Sequence, residues 1–113
     1  MKVAIIGSRS VSETFYRELS AQIPHGTTTI LSGGSEGADM LAKRYAEENH
    51  LAYVEILPDY QTFGRAAPLR RNEEIVQRAD HVLALWDGHS RGTAYVIRYC
   101  LETGTSVHVL ICH

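Results

Sequence analysis

Short apolar runs alternate with helical patterns from one end of the chain to the other. A strand, helix, strand alternation makes neighbouring strands parallel, because each helix carries the chain back to the edge from which the strand began. The chain is therefore restricted to a parallel sheet with helices on both faces and right-handed crossovers. Five runs have the length and β-branched content of such strands, at residues 2–6, 27–31, 52–57, 81–86 and 105–112.

Four helical segments lie between these runs. In the first, a capping-box pattern at residues 10–13 predicts a helix to about residue 22 with Ser10 as its N-cap. In the third, Pro68 is the expected first residue of a helix that reaches Ala79. The fourth is predicted over residues 92–102. The second is the clearest, because an apolar stripe repeats there at helical spacing, through Ala38, Leu41, Ala42, Tyr45 and Ala46.

This order of elements predicts a Rossmann-like α/β fold, a three-layer sandwich around a five-stranded parallel sheet. We favour the strand order 3-2-1-4-5, in which the winding direction reverses between strands 1 and 4. The flavodoxin-like order 2-1-3-4-5 satisfies the same pattern. Because 113 residues is an ordinary size for one domain, we expect residues 1–113 to form a single unit.

Composition and charge narrow the classes of partner. The chain is 44% hydrophobic and 21% charged, as globular proteins are. No apolar run has the length of a membrane span and the N-terminus lacks a signal-peptide layout, so we expect a cytoplasmic location and no membrane partner. A net charge of −2 offers no general attraction for nucleic acid. The six histidines and two cysteines lack metal-ligand spacing, so the sequence predicts no metal site and implies no cofactor.

Glycine and arginine are concentrated at one edge of the predicted sheet. Six of the nine glycines fall in the loops after strands 1, 2 and 4. Glycine lets a backbone approach a ligand closely, and helix N-termini supply free N–H donors for an anion. The one-sided arrangement therefore predicts a phosphate-binding site at the carboxyl ends of the strands. Arginines lie at this edge as well, at positions 9, 65, 70, 71 and 91.

Three loops and the start of the third helix supply the candidate ligand contacts. The first loop is not GxGxxG and the second lacks the Walker lysine, so an NAD fingerprint and a P-loop ATPase are both disfavoured. The candidate phosphate and ligand contacts are Gly7, Ser8 and Arg9 in the first loop, Ser32, Gly33, Gly34, Gly37 and Asp39 in and after the second, Arg70 and Arg71 in the third helix, and Asp87, Gly88, Ser90, Gly92 and Thr93 in and after the fourth loop.

Two acidic side chains in these loops have more than one interpretation. Asp39 is placed to accept a hydrogen bond from a ribose hydroxyl or to pair with Lys43. Asp87 would repel phosphate, so it is expected to cap its own turn or to meet a sugar hydroxyl. His89 has no evident carboxylate or nucleophile partner, which favours a simple loop role over a general base.

Taken together, the loops resemble those of the SLOG superfamily, especially its small YspA/YpsA-like branch. The resemblance spans nearly the whole chain and implies a Rossmann-like fold with a site for nucleotides or nucleotide-derived signals such as ADP-ribose relatives. The matching segments are Ile5-Ile6-Gly7-Ser8-Arg9, Ser32-Gly33-Gly34-x-x-Gly37-Ala38-Asp39, Arg71-Asn72 and Asp87-Gly88-x-Ser90-x-Gly92-Thr93.

The same superfamily includes LOG-type phosphoribohydrolases, which release the base from nucleoside monophosphates, and DNA-processing DprA proteins. Arg70 and Arg71 resemble the LOG arginine position, and Gly92-Thr93 resembles the GT of the LOG loop PGGxGTxxE. Val96, however, stands where LOG enzymes carry their catalytic glutamate. Because valine can neither stabilise a ribosyl cation nor handle a proton, the resemblance favours binding over hydrolysis and leaves catalytic residues unassigned.

Three functions follow as hypotheses. The first is binding or sensing of a phosphate-bearing nucleotide derivative, which needs no catalytic residue. The second is a nucleotide N-glycosidase that uses a different acid from the loops, either Glu36, Asp39 or Asp87. The third is an interaction module, with the edge of the fifth strand open to a second copy of the chain in a homodimer. The third is compatible with the first.

Overall fold

A five-stranded, all-parallel sheet forms the centre of the molecule in the computed structural model, which describes residues 1–112. Its strands are β1 (Lys2–Gly7), β2 (Thr29–Ser32), β3 (Ala52–Glu55), β4 (His81–Trp86) and β5 (Ser106–Ile111). Their order is β3-β2-β1-β4-β5. This confirms the favoured Rossmann-like order and excludes the flavodoxin-like alternative, because β1 pairs with both β2 and β4.

Five α-helices surround the sheet, and none within residues 1–112 is long and apolar enough to cross a membrane. The four predicted helices are present, and a short additional helix lies in the loop after β3. Two single turns of 3₁₀ helix, Glu13–Phe15 and Gly64–Ala66, directly precede the helices that begin at Tyr16 and Ala67. The helices are α1 (Tyr16–Gln22), α2 (Ala38–Glu48), α3 (Tyr60–Phe63), α4 (Ala67–Arg78) and α5 (Arg91–Thr103).

The two faces of the sheet carry separate hydrophobic clusters. Val3 and Ile5 of β1 pack with side chains of α1 and α2, whereas Ala4 and Ile6 pack on the opposite face with side chains of α4 and α5. This alternation follows from the two-residue period of a strand. A central strand buried on both faces must be apolar throughout, which is why residues 3–6 read as a continuous run rather than as an alternating one.

The helix starts differ from prediction in two places. Ser10 is not the N-cap of the first helix, because its hydroxyl donates to Asp87 at 3.1 Å. Ser12 instead caps the 3₁₀ turn that precedes this helix, accepting from the backbone N–H of Thr14 at 3.3 Å. Pro68 is the second residue of α4, not the first. Its ring still occupies the first turn, where a missing N–H costs nothing.

The first loop and the start of α2 approach each other closely at Gly37. This residue has φ +70° and ψ −118°, and a Cβ added to it would lie 2.5 Å from the Ser8 carbonyl oxygen. Only glycine combines that dihedral pair with so close a contact. The junction between β1 and α2 therefore depends on this glycine.

We predict that Gly37→Ala destabilises the fold by about 3 kcal/mol or more, since strain and steric overlap add. Gly104→Ala is the matched control, because Gly104 also has a positive φ, +74°, but a Cβ there meets no atom within 4 Å. The control is expected to cost only about 1 kcal/mol. Urea unfolding of both variants measures the difference. Equal losses would contradict the close approach at Gly37.

Candidate functional site

A cleft with a volume of about 530 Å³ lies at the carboxyl ends of β1 and β4. It is located at the reversal of winding direction, where open α/β sheets usually bind their ligands. Nine of the fifteen predicted contacts line it: Gly7, Ser8, Arg9, Asp39, Arg71, Asp87, Ser90, Gly92 and Thr93. Loops that are far apart in sequence therefore meet as predicted, at one edge of the sheet.

Ser8 joins the first loop to three other elements. Its backbone N–H donates to the carbonyl of Leu85 in β4 at 2.9 Å, and its carbonyl accepts from the N–H of Ala38 in α2 at 3.4 Å. Its hydroxyl oxygen accepts from the backbone N–H of Asp87 at 3.3 Å. Because Ser8 is only 2% exposed, its main role in the structure is to hold the floor of the cleft in place.

The start of α5 faces the cleft without a cap. Ser90 is its N-cap residue, but the Ser90 side chain makes no capping hydrogen bond. Within residues 1–112, the backbone N–H groups of Arg91, Gly92 and Thr93 have no protein acceptor. Three free donors and the positive end of a 13-residue helix are therefore presented at the cleft wall, an arrangement that favours an anion.

Asp87 organises the loop that leads to this helix. Its carboxylate accepts from the backbone N–H groups of Ser90 and His89, both at 2.8 Å, and from the Ser10 hydroxyl at 3.1 Å. The hydrogen bonds from Ser90 and His89 lower the pKa of Asp87 from its ordinary 3.8 to about 2. The turn-capping interpretation of Asp87 is thus confirmed, and the group is ionised at neutral pH.

The second loop uses two of its N–H groups internally. The N–H of Gly34 donates to the Ser32 hydroxyl at 3.3 Å, and that of Ser35 donates to Asp39 at 2.9 Å. Gly33 and Gly34 are closely approached by side chains, because a Cβ would overlap the guanidinium of Arg71 at the first position and the carboxylate of Glu55 at the second. Two donors of the predicted phosphate cradle are therefore occupied inside the protein.

Six predicted contacts lie outside the cleft lining. For the second loop the reason is this internal hydrogen bonding and close packing. Arg70 points to a neighbouring cavity and pairs with Glu73 at 2.8 Å, whereas Gly88, at φ +85°, shapes its turn. The residues outside the lining are Ser32, Gly33, Gly34, Gly37, Arg70 and Gly88.

The two arginines of the cleft differ in how firmly they are held. Arg71 donates to the Gly33 carbonyl at 2.9 Å and to the Asn72 side chain at 2.8 Å, so its guanidinium has a set position. Arg9 is exposed, and no hydrogen bond or ion pair joins its side chain to another of residues 1–112. Arg9 is therefore free to follow a ligand, while Arg71 forms a fixed wall.

Asp39 lines the cleft with a buried carboxylate, and the residue is 5% exposed. Its Oδ2 atom accepts from both the N–H and the hydroxyl of Ser35, the latter at 2.5 Å. No ion pair with Lys43 exists among the described residues, so that interpretation is wrong. The Oδ1 atom accepts no hydrogen bond from residues 1–112, which leaves one acceptor for a ligand.

Six lining residues were not among the predicted contacts. The sequence predicts Ser10 as a helix cap and His89 as a loop residue, and Asn72 enters the family pattern only as the neighbour of Arg71. Its adjacency to Arg71 was the signal that could have identified it. The additional lining residues are Ile6, Ser10, Ser35, Pro68, Asn72 and His89. Within the described residues, no group of three or more metal-binding side chains comes together.

Comparison with known proteins identifies the family. The model of the YspA, cpYpsA-related SLOG family (YAcAr) matches residues 1–63. The chain belongs to this family. The matched segment holds the first two loops of the SLOG cleft, and the fourth loop lies beyond it. No curated protein matches the chain, and no solved structure does.

The acids near the cleft of this SLOG chain differ in position and in protonation. Glu36 does not line the cleft. Asp87 lines it, but a carboxyl with a pKa of about 2 cannot donate a proton at neutral pH. Val96, at the position that resembles the LOG glutamate, is 0% exposed and packs in the apolar cluster on the α4 and α5 face. Only Asp39 remains as an acid at the cleft wall.

Because folding lowers the pKa of Asp87, the stability it contributes is present above about pH 4 and is lost as pH falls toward 2. We predict that Asp87→Ala unfolds more easily than the parent at pH 7 and that the difference shrinks between pH 4 and pH 2. Carboxyl ¹³C NMR should give the Asp87 midpoint near 2. A midpoint near 4, or a difference independent of pH, would contradict the loop geometry.

Proposed function

We propose that this protein binds a phosphate-bearing nucleotide derivative, with the phosphate at the start of α5. The observation that carries the proposal is the uncapped N-terminus of α5, which opens onto the same cleft as the free side chain of Arg9. Family membership supports a nucleotide-related ligand.

The hydrogen-bonding chemistry of phosphate fits the α5 start, where it has to outweigh repulsion by the ionised Asp87 carboxylate that lines the same cleft. Phosphate oxygens accept several hydrogen bonds at once, and the N–H groups of residues 91–93 are available to donate them. A helix N-terminus adds roughly half a positive charge. At Gly92 a Cβ would meet no atom within 4 Å, so the space beside this N–H is open. The Ser90 and Thr93 hydroxyls line the same wall and extend the donor set.

The remaining cleft walls suit a sugar. The free Oδ1 atom of Asp39 can accept a hydrogen bond from a ribose hydroxyl. The same carboxylate would repel a phosphate group. Arg71 lines the cleft from the α4 side and adds a positive charge to it. Phosphate at α5 and ribose toward Asp39 therefore give each end of a sugar phosphate a complementary wall.

Binding is favoured over hydrolysis by the state of the cleft acids. Release of a base requires a proton donor or a carboxylate placed to stabilise the ribosyl cation. Asp87 is ionised and already accepts three hydrogen bonds, and Asp39 is held by Ser35. Incubation of the protein with AMP should therefore release no adenine. Base release that Asp39→Asn abolishes would instead support the glycosidase.

We predict that calorimetry detects binding of at least one of AMP, ADP-ribose, NAD and cyclic ADP-ribose, and that adenosine binds much more weakly. Arg9→Gln should weaken the phosphorylated ligand about 10-fold or more, the usual effect of losing a charge-assisted hydrogen bond. The matched control is Arg17→Gln, because Arg17 is exposed on α1 and does not line the cleft. No binding at millimolar ligand by folded protein would overturn the proposal.

A second test separates binding from stability. Gly92→Ala places a methyl group in open space within a helix, so the free energy of unfolding should rise by about 0.5–1 kcal/mol. Phosphate binding should nevertheless weaken, because the methyl group stands beside the free N–H groups. Trp86 is the sole tryptophan and donates to the Ser90 carbonyl at 3.0 Å, so its fluorescence reports ligand at this loop. Unchanged affinity would place the phosphate elsewhere.

A further inference from the structure

A second cavity adjoins the cleft and shares Arg71 with it. Its volume is about 250 Å³, and it lies between the loop after β3 and helix α4. Leu57 and Phe63 form its apolar part, and Asp59, Glu73 and Glu74 contribute carboxylates. The function proposed above does not use this cavity.

Exposed apolar side chains are concentrated around it. Four of the eight large hydrophobic residues exposed within residues 1–112 fall between positions 57 and 69. Leu57 is 64% exposed and Phe63 is 47% exposed, and both line the cavity. Burying such side chains against a ligand is favourable, and an aromatic ring stacks well on a nucleic-acid base.

The charges of this cavity disfavour a second phosphate. Three carboxylates face two arginines, and each carboxylate already has a partner in the protein. Asp59 caps α3 by accepting from the Thr62 N–H at 3.1 Å, Glu73 pairs with Arg70, and Glu74 pairs with Arg78 at 3.4 Å. A neutral group that donates hydrogen bonds is compatible with this wall, and an anion is not.

Arg71 gives the two cavities a common, rigid wall. Its guanidinium packs against the backbone of Gly33, where a Cβ would overlap it, and two hydrogen bonds hold it there. A planar guanidinium in a set position is a stacking surface for an aromatic ring. A ligand with a phosphate in the cleft and a ring in the second cavity would cross this arginine.

We propose that the second cavity binds the uncharged aromatic base of the same ligand, with Phe63 and Arg71 as its stacking surfaces. The ligand is then a nucleotide whose base contributes affinity, rather than a sugar phosphate. This inference rests on the proposed function, because it takes the phosphate to lie at the start of α5.

The test compares two ligands that differ only in the base, AMP and ribose 5-phosphate, by calorimetry on the full chain. The parent should bind AMP about 10-fold more tightly, the usual effect of one stacked base. Phe63→Ala should reduce AMP to the affinity of ribose 5-phosphate and leave ribose 5-phosphate unchanged. Tyr60→Ala is the matched control, because Tyr60 is an aromatic of the same short helix, 61% exposed, that does not line the cavity.

The outcomes separate this inference from the proposed function. If ribose 5-phosphate binds and AMP binds no more tightly, the base subsite is overturned and the phosphate site stands. If AMP is favoured but Phe63→Ala behaves like Tyr60→Ala, the base lies elsewhere and the inference is again overturned. If folded parent protein binds neither ligand, the base subsite is overturned, and the proposed function fails as well only when ADP-ribose, NAD and cyclic ADP-ribose also give no binding. Loss of the AMP preference in Phe63→Ala alone supports the inference.

Discussion

The hydrogen bonds of Ser8 are the constraint on which the site depends. Through one buried residue, the loop after β1 is attached to β4, to the start of α2 and to the loop after β4. An unpaired buried backbone group costs about 1–3 kcal/mol, so these attachments are needed wherever the loop is buried. Glycine at position 37 follows from them, because the Ser8 carbonyl occupies the space that a side chain would fill.

Most of the fold could be predicted from the sequence, because apolar runs and helical stripes report directly on burial. The strand order was a preference among alternatives, and it is the pairing of Val3 with both Ile30 and His81 that decides it. Local boundaries were harder. Ser10 and Ser12 are equally good caps by residue type, and only the approach of Asp87, 77 positions away, removes Ser10 from that role.

The candidate site could be predicted in part. Loops 1 and 4 come together because the strand order makes β1 and β4 neighbours, and the glycines and arginines marked that edge. The second loop could not be resolved in the same way. Which of its donors and acceptors are free depends on Asp39 accepting from the Ser35 N–H and on Arg71 reaching the Gly33 carbonyl from 38 residues away. Binding at each lining residue stays a prediction, as does a homodimer.

The burial of Val96 limits which side chains position 96 can carry. A glutamate at this position would lie in the cluster that contains Ile6, Val82 and Cys100, where no partner is available for its charge. An unpaired buried carboxylate costs several kcal/mol. This is a large share of the free energy of unfolding of a domain, which is about 5–15 kcal/mol. A single mutation that placed an acid here would therefore endanger the fold before it could serve a reaction. The core around position 96 would have to be remodelled before it could carry a catalytic carboxylate.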